Sequence, residues 1–224
     1  MSDTETILQL KLTLAGSVPT IWRRVQVPGD FTLGDFHYVI LYAFCWFDDR
    51  PHEFLPSFEA SGTRAQGTPR EPFDEDAVLL SELLPVRDAQ MRYRCESGDQ
   101  WAVDVVAEAQ YGPVPGHSYP YCSGGEHDGP PDGVGGISSY NEVVEAFARP
   151  GGRKALFSKR DRPKWLEPFF EPTYLDIGVI NMLLGLIFPS EEQASGLDSI
   201  PTTGSPNPCK RRAGRELRNS HRES

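Results

Sequence analysis

Four leucines in alternate positions near the start of the chain constrain its fold more than any other feature. In the segment LQLKLTL, residues 8–14, a polar residue separates each leucine from the next. A period of two places the leucines on one face of a β-strand and the polar side chains on the other. A second alternating run follows a turn at residues 15–17 and contains Ile21, Arg23, Val25 and Val27. Residues 6–28 are therefore predicted to form a β-hairpin.

The residues after the hairpin have the pattern of an α-helix. Thr32 and Asp35 have the separation of a capping box, in which each side chain binds a backbone amide of the other residue. An apolar stripe at helical spacing continues from there and consists of Leu33, Phe36, Ile40, Ala43 and Phe44. The sequence predicts a helix that ends near Trp46, with His37 beside the stripe as a hydrogen-bonded, partly buried side chain.

The middle of the chain predicts short elements. Strands are expected around residues 52–58 and 90–108, and a helical turn at 79–84. Residues 111–137 are rich in glycine and proline and are predicted to lack regular structure. A helix is expected over residues 140–149, opened by the capping-box spacing of Ser139 and Glu142.

A last helix is predicted after Asp176, and the chain becomes polar from residue 190 onward. Its apolar face is expected to comprise Ile177, Ile180, Leu183, Leu184 and Ile187. Together these patterns predict an α+β fold, a single compact domain over residues 1–190 with a mostly antiparallel sheet and packed helices. Residues 191–224 are predicted to be a disordered polar and basic tail.

Charge is distributed unevenly along the chain. Residues 209–224 hold six basic and two acidic residues, a net charge of +4. The whole chain carries −10, so residues 1–208 carry −14. A domain this acidic repels phosphate backbones, which disfavours nucleic-acid binding by the folded part. Arg23 and Arg24 are expected to pair with acidic surface groups. The basic tail is either a solvated terminus or a segment that touches nucleic acid or directs nuclear import.

The sequence predicts a cytoplasmic protein without metal or cofactor, with a nuclear location left open by the tail. No apolar run has the length of a membrane span, and the first residues do not resemble a signal peptide. Cysteines form no CxxC pair. Potential metal ligands at Cys122, Glu126, His127 and Asp132 match no standard zinc spacing, and no phosphate-binding, dinucleotide-binding or nucleophile-elbow motif is present.

Candidate catalytic residues lie at two predicted turns. His52 and Glu53 stand at one, and Glu96 and Asp99 at the other. A histidine and a carboxylate brought together at a cleft can move a proton near neutral pH. The structural alternatives are that His52 binds a backbone carbonyl and that Asp99 caps exposed amides beside Gly98.

Candidate ligand-binding residues are aromatic or flank the glycine-rich segment. Trp46 and Trp101 are each either a pocket wall or a core anchor. Gly135 and Gly136 allow the backbone to approach a ligand closely, and Tyr140 follows them at the start of a helix, where anions bind. This segment is expected to form a lid or wall over a pocket.

The order of these motifs resembles the plasmid pRiA4b ORF-3-like (MM3350-like) family. The segments that carry the resemblance are IWRR (21–24), TLGDFHYVILYAFCW (32–46), HEF (52–54), ESGDQW (96–101), PYCSGGEHDGPPDGVGGISSY (120–140) and FEPTYLDIGVIN (170–181). The resemblance implies a compact α+β fold, and some members are described as passenger proteins of transposons. The chain departs from the family pattern at Arg50, Glu96, Ser97, Val103, Gly129 and Gly133, which implies a retained scaffold with a changed pocket.

Two functions are consistent with these observations. The first is a small-molecule-binding protein or a cofactor-independent acid–base enzyme of the cyclase, isomerase or lyase type, in specialised metabolism. The second is a non-catalytic interaction module associated with mobile-element or nuclear biology. The sequence leaves the oligomeric state, the substrate and the reaction open.

Overall fold

A computed structural model describes residues 6–46, 51–56, 74–95, 98–158, 165–166 and 170–189. The predictions made for Glu96 and for the tail at 191–224 lie outside the described residues. Within the described ranges, no helix is both long enough and apolar enough to cross a membrane.

One antiparallel sheet of six strands forms the centre of the fold. Its strands, in chain order, are β1 (Ile7–Leu14), β2 (Trp22–Pro28), β3 (His52–Pro56), β4 (Gln90–Cys95), β5 (Ala102–Tyr111) and β6 (Tyr121–Glu126). Their order across the sheet is β3-β4-β5-β1-β2-β6. Every pair of neighbours is antiparallel.

Helices accompany this sheet, and all the described ones except the fourth contribute residues to the apolar core. They are α1 (Leu33–Ala43), α2 (Leu80–Leu83), α3 (Gly136–Ala148), α4 (Gly152–Ser158) and α5 (Ile177–Ile187). The four leucines of β1 are buried in one apolar cluster with residues of α1 and α5. The polar residues of β1 lie on the half-exposed opposite face. The α+β fold predicted from the sequence is confirmed.

The predicted hairpin and first helix are also confirmed. Leu10 pairs with Val25 across β1 and β2. At the start of α1 the Asp35 amide donates to the Thr32 hydroxyl (3.1 Å), and the Thr32 amide donates to the Asp35 carboxylate (3.0 Å). Both bonds of the capping box are present, and they satisfy backbone donors that the helix itself leaves unpaired.

The prediction that residues 111–137 lack regular structure is wrong, because β6 lies within them and pairs with β2. Glycine is needed in this strand at position 125, where a Cβ atom would lie 2.7 Å from the Trp22 carbonyl oxygen. Asn181 of α5 holds the other edge of β6. Its amide accepts from the Cys122 N–H (2.7 Å) and donates to the Cys122 carbonyl (3.0 Å), as a neighbouring strand would.

Two details of the later helices differ from the prediction. Helix α3 begins at Gly136 after a left-handed Gly135 (φ 91°), without a side-chain cap, and not at the predicted Ser139 box. The amides that precede it are bound by a carboxylate from another part of the chain, so no local cap is required. In α5, Val179 is buried, whereas Ile187 on the predicted apolar face is 42% exposed. Helix α5 begins after Asp176 as predicted, and the Asp176 side chain caps it by accepting from the Val179 amide (3.0 Å).

Replacing Asn181 with alanine should destabilise the protein by about 2–3 kcal/mol, because two backbone groups of Cys122 lose their partners in a partly buried position. Asn141→Ala is the matched control, since Asn141 also binds two backbone groups but at an exposed position. Its expected cost is below about 1 kcal/mol. Urea unfolding monitored by circular dichroism measures both, and equal costs would contradict the role given to Asn181.

Candidate functional site

His52, Cys95 and Trp101 lie side by side at one end of the sheet. His52 of β3 is directly opposite Cys95 of β4. The Cys95 amide donates to the Trp101 carbonyl (2.9 Å), which continues the pairing to the residue that precedes β5. Residues paired in antiparallel strands point to the same face. These three side chains, the sheet-end row, therefore adjoin one another on the buried face.

Proton-exchanging groups link this row to the core. The His52 ring lies parallel to the His37 ring, with centroids 3.7 Å apart and 7° between the planes. His52 Nε2 is 2.8 Å from a Glu75 carboxylate oxygen. On the other side, His37 Nδ1 is 3.0 Å from the Tyr93 hydroxyl, which is 3.5 Å from the Cys95 sulfur. We call this set of residues the imidazole cluster, and it leads from the half-buried Glu75 into the core. Its members are Glu75, His52, His37, Tyr93 and Cys95.

A shallow groove lies at the turn between β4 and β5. Its volume is about 560 Å³, it is open to solvent, and its described lining residues are Arg94, Cys95, Gln100 and Ala102. Arg94 lies on the exposed face of β4, where its guanidinium is 3.0 Å from the Glu53 carboxylate. Ala102 pairs with Arg94 on that exposed face, whereas the Cys95 side chain points with that of its cross-strand neighbour His52 to the buried face.

The Asp99 carboxylate is bound by the protein itself. One oxygen accepts from the amides of Gly133 (2.7 Å) and Val134 (3.2 Å). The other accepts from Gly135 (2.7 Å) and Gly136 (3.1 Å). Four consecutive amides around one anion form a backbone nest. This arrangement favours the structural alternative for Asp99 and means that Gly135 and Gly136 bind an internal carboxylate where a ligand anion was expected.

The two tryptophans form part of a buried aromatic stack. The rings of Trp46 and Trp101 are 6.0 Å apart and nearly parallel, and the Phe44 ring stacks with Trp46 at 5.0 Å. Trp46 donates its ring N–H to the Pro130 carbonyl (3.1 Å). Among the described residues, the buried Trp101 ring N–H has no hydrogen-bond partner. The stack favours a core role for Trp46, whereas Trp101 retains an unused donor beside Cys95.

A second buried polar centre surrounds Arg23, which has no exposed surface. Its guanidinium donates to the backbone carbonyls of Ala43 (2.7 Å), Trp22 (2.9 Å) and Glu126 (3.0 Å). Burial lowers the Arg23 pKa, and the nearby Asp128 carboxylate opposes this effect. The predicted surface pairing is therefore wrong for Arg23, which joins α1, β2 and β6.

The predicted pairing with an acidic surface group is present at Arg24. The Arg24 guanidinium donates to the Glu108 carboxylate (2.9 Å) on the open face of the sheet. This interaction raises the pKa of Arg24 and lowers that of Glu108.

Asp128 and Tyr140 complete the Arg23 centre. Burial raises the Asp128 pKa from 3.8 to about 6, although Arg23 and the Gly129 amide pull it down. Tyr140 is buried, and its hydroxyl donates to the Asp128 backbone carbonyl (3.5 Å). Burial, reinforced by Asp128, raises the Tyr140 pKa. Tyr140 thus lies in a closed centre, and its predicted role in ligand binding stays a prediction.

The structure thus places His52 with Glu75 and His37, pairs Glu53 with Arg94, and places Asp99, Gly135 and Gly136 in a separate nest. Sequence reasoning missed Glu75, Tyr93 and Cys95. The sequence carried a signal for Tyr93 and Cys95. They alternate with arginines in β4, which places their side chains on the buried face. Within the described ranges, no three or more His, Cys, Asp or Glu side chains are grouped so that they could hold a metal ion.

Comparison with known proteins places the chain in a family. The family model described as plasmid pRiA4b ORF-3-like protein matches residues 6–178, so the chain belongs to that family. The chain is similar to the uncharacterized protein y4hQ of Sinorhizobium fredii, with 30% identity over 145 residues, 64% of this chain and 74% of the relative.

The fold is also similar to a solved structure. The crystal structure of MM3350 from Methanosarcina mazei Go1, a protein of unknown function, has a TM-score of 0.63 and 29% identity to this chain. The match covers 80% of this chain and 98% of MM3350.

The raised Asp128 pKa predicts a specific pH dependence. The folded chain binds a proton at Asp128 more tightly than the unfolded chain does, so protonation contributes stability below about pH 4 that is lost as the pH rises to about 6. Asp128→Asn cannot titrate there. We expect the free energy of unfolding of the wild type, minus that of the variant, to fall by up to about 3 kcal/mol over this range. A pH-independent difference in urea unfolding would contradict the assignment.

Proposed function

We propose that this member of the pRiA4b ORF-3-like family binds a small molecule at the end of the sheet that carries the groove and exchanges a proton with it through His52. The observation that carries the proposal is the imidazole cluster, in which the partly exposed His52 lies against Glu75 on one side and His37 on the other. A cofactor-independent reaction of the isomerase, lyase or cyclase type is the chemistry that such a proton exchange serves.

Burying the polar atoms of the imidazole cluster costs free energy, and this cost supports a functional role for the cluster. His37 is 3% exposed and Tyr93 is fully buried, so both place polar atoms inside an apolar core. Burying such atoms is unfavourable unless their hydrogen bonds are made, and apolar side chains of similar size would fill the same space without that requirement. Polar networks that reach a cleft are therefore candidate functional sites.

The Glu75 carboxylate gives His52 a defined chemical role. A carboxylate 2.8 Å from one ring nitrogen fixes the orientation of the imidazole. The His37 ring, stacked 3.7 Å away, packs against the face of His52. In the proposed function His52 gives a proton to a neighbouring ligand or takes one from it.

The groove indicates the class of ligand. Its volume of about 560 Å³ falls within the range of about 300–1,000 Å³ typical of small-molecule sites. Arg94 and Gln100 supply N–H donors at its wall. We therefore propose a small molecule that carries a carbonyl or carboxylate group. The acidic balance of the first 208 residues disfavours nucleic acid at this site.

A non-catalytic interaction module is the second candidate function, and one observation favours it. Helix α5 exposes apolar side chains at Met182 (50%), Leu186 (64%) and Ile187 (42%). Clustered exposed apolar groups mark interaction surfaces when they form a patch. In that function a partner would cover α5, and changes in the groove would have no effect on its binding.

Two arginines of β4 provide a matched test of the groove. Arg94 lines it, whereas Arg92 pairs with Asp104 (2.6 Å) on the same exposed face and does not line it. We expect a panel of small keto- and hydroxy-carboxylic acids to include a compound that raises the Tm of the wild type and of Arg92→Gln but not of Arg94→Gln. A ligand at about 100 times its Kd stabilises the folded state by about 2.7 kcal/mol.

His52→Gln should weaken the same stabilisation, because it removes the proton-exchanging partner of the ligand. Differential scanning fluorimetry measures all four proteins. An equal rise in Tm for Arg94→Gln and the wild type would place the ligand elsewhere, and the absence of any stabilising compound in the panel would contradict the proposed ligand class.

A further inference from the structure

We infer that the Arg23 centre binds one small monovalent anion, such as chloride, at Nη2 of Arg23 whenever the Asp128 side chain is uncharged. This centre shares no residue with the imidazole cluster, so occupation of the anion site does not depend on the proposed function. Chloride itself is the probe, and no natural ligand has to be known.

An unused donor on a buried cation is the first reason. Arg23 has no exposed surface, and its Nε and Nη1 atoms donate to three backbone carbonyls. Its Nη2 atom is also buried and has no hydrogen-bond partner among the described residues. A buried N–H group of a charged side chain that lacks an acceptor costs more free energy than a neutral one. An acceptor bound at Nη2 would remove this cost.

The counter-charge of Arg23 acts from a distance. Burial lowers the Arg23 pKa, and the Asp128 carboxylate is the strongest of the charges that oppose this effect. No hydrogen bond or ion pair joins these two described residues, and the Asp128 carboxylate accepts instead from the Gly129 amide (2.8 Å). The Glu126 carboxylate accepts from the Trp22 ring N–H (3.1 Å) at an exposed position. Asp128 therefore balances the charge of Arg23 without occupying its unused donor.

This balance is lost when Asp128 is uncharged. The other titratable groups that act on Arg23 are Cys122, Cys45 and Tyr140. Cysteine and tyrosine side chains are uncharged at neutral and acidic pH at their ordinary pKa values, and burial raises the pKa of Cys122 and of Tyr140. Arg23 is then a buried cation without a counter-charge in its centre. An uncompensated buried charge is strongly unfavourable, and a bound anion restores the compensation.

The close packing of the centre selects a small ion. The guanidinium carbon of Arg23 lies 5.2 Å from the centroid of the Phe44 ring. Gly129, next to Asp128, packs so closely on the same residue that a Cβ atom would lie 2.2 Å from the Phe44 carbonyl oxygen. A bulky anion such as gluconate cannot enter a centre with these walls, whereas a monatomic anion requires little more space than a water molecule. Sodium gluconate is therefore the reference salt of equal ionic strength.

Asp128→Asn makes the uncharged state permanent and provides the first test. At about pH 8, we expect sodium chloride at about 0.3 M to raise the Tm of this variant by about 2–4 °C relative to sodium gluconate. The wild type should have the same Tm in both salts, because its Asp128 pKa of about 6 leaves the carboxylate ionised there.

Glu108→Gln is the matched control. It removes the carboxylate partner of the neighbouring Arg24, but on the open face of the sheet, where water solvates the released cation. The Tm of this variant should be the same in chloride and in gluconate.

The wild type gives a second test that needs no variant. An anion that binds only when Asp128 is protonated must in return raise the pKa of Asp128, because the two binding equilibria are linked. Carbon-13 nuclear magnetic resonance of the Asp128 carboxyl group follows its titration. We expect the Asp128 pKa to be higher by about 0.5 in chloride than in gluconate at equal ionic strength.

Equal Tm values of Asp128→Asn in the two salts would overturn the anion site, and so would an Asp128 pKa that is the same in both. A chloride effect of equal size in Glu108→Gln would also overturn it, since the ion would then act at the exposed surface. If Asp128→Asn does not fold, the titration of the wild type decides.

Discussion

The bonds between the Asp99 carboxylate and four consecutive amides hold the site end of the sheet in place. Asp99 lies in the turn between β4 and β5, and its partners, Gly133 to Gly136, lead into α3. Hydrogen bonds to a charged acceptor are stronger than neutral ones. The nest therefore fixes the turn that carries Trp101 against the glycine-rich segment, and the sheet-end row is formed beside it. All four hydrogen bonds to the Asp99 carboxylate come from the backbone, so its role here is structural.

Two buried polar centres in this fold have opposite characters. Arg23 donates most of its N–H groups to backbone carbonyls of three elements, and Asp128 is held beside it in a closed space. The Arg23 centre is therefore structural, because it ties three elements together. The imidazole cluster instead runs from the buried Tyr93 through two stacked histidines to the half-buried Glu75. Of these two centres, the second therefore reaches partly exposed groups.

Local patterns predicted the parts of the fold that depend on neighbours in sequence. The alternating leucines predicted β1, and the capping box at Thr32 predicted the start of α1. Predictions failed where a distant group decided the structure, since Asn181 stabilises β6 within a glycine-rich segment and Asp99 replaces a local cap of α3. Arg23 had the period of the buried residues, but its charge suggested the surface. The pairing of His52 with Glu75 joins segments whose contact no spacing in the sequence indicates.

The account depends most on the direction of the hydrogen bonds in the imidazole cluster, and nuclear magnetic resonance of ¹⁵N-labelled histidine rings measures it directly. The account predicts that His37 carries no proton on Nδ1 in the neutral state, so that this nitrogen accepts from Tyr93. It also predicts that Tyr93→Phe shifts the Nδ1 resonance while Tyr111→Phe does not. A proton found on Nδ1 of neutral His37 would make the imidazole a donor to Tyr93 and would contradict this direction.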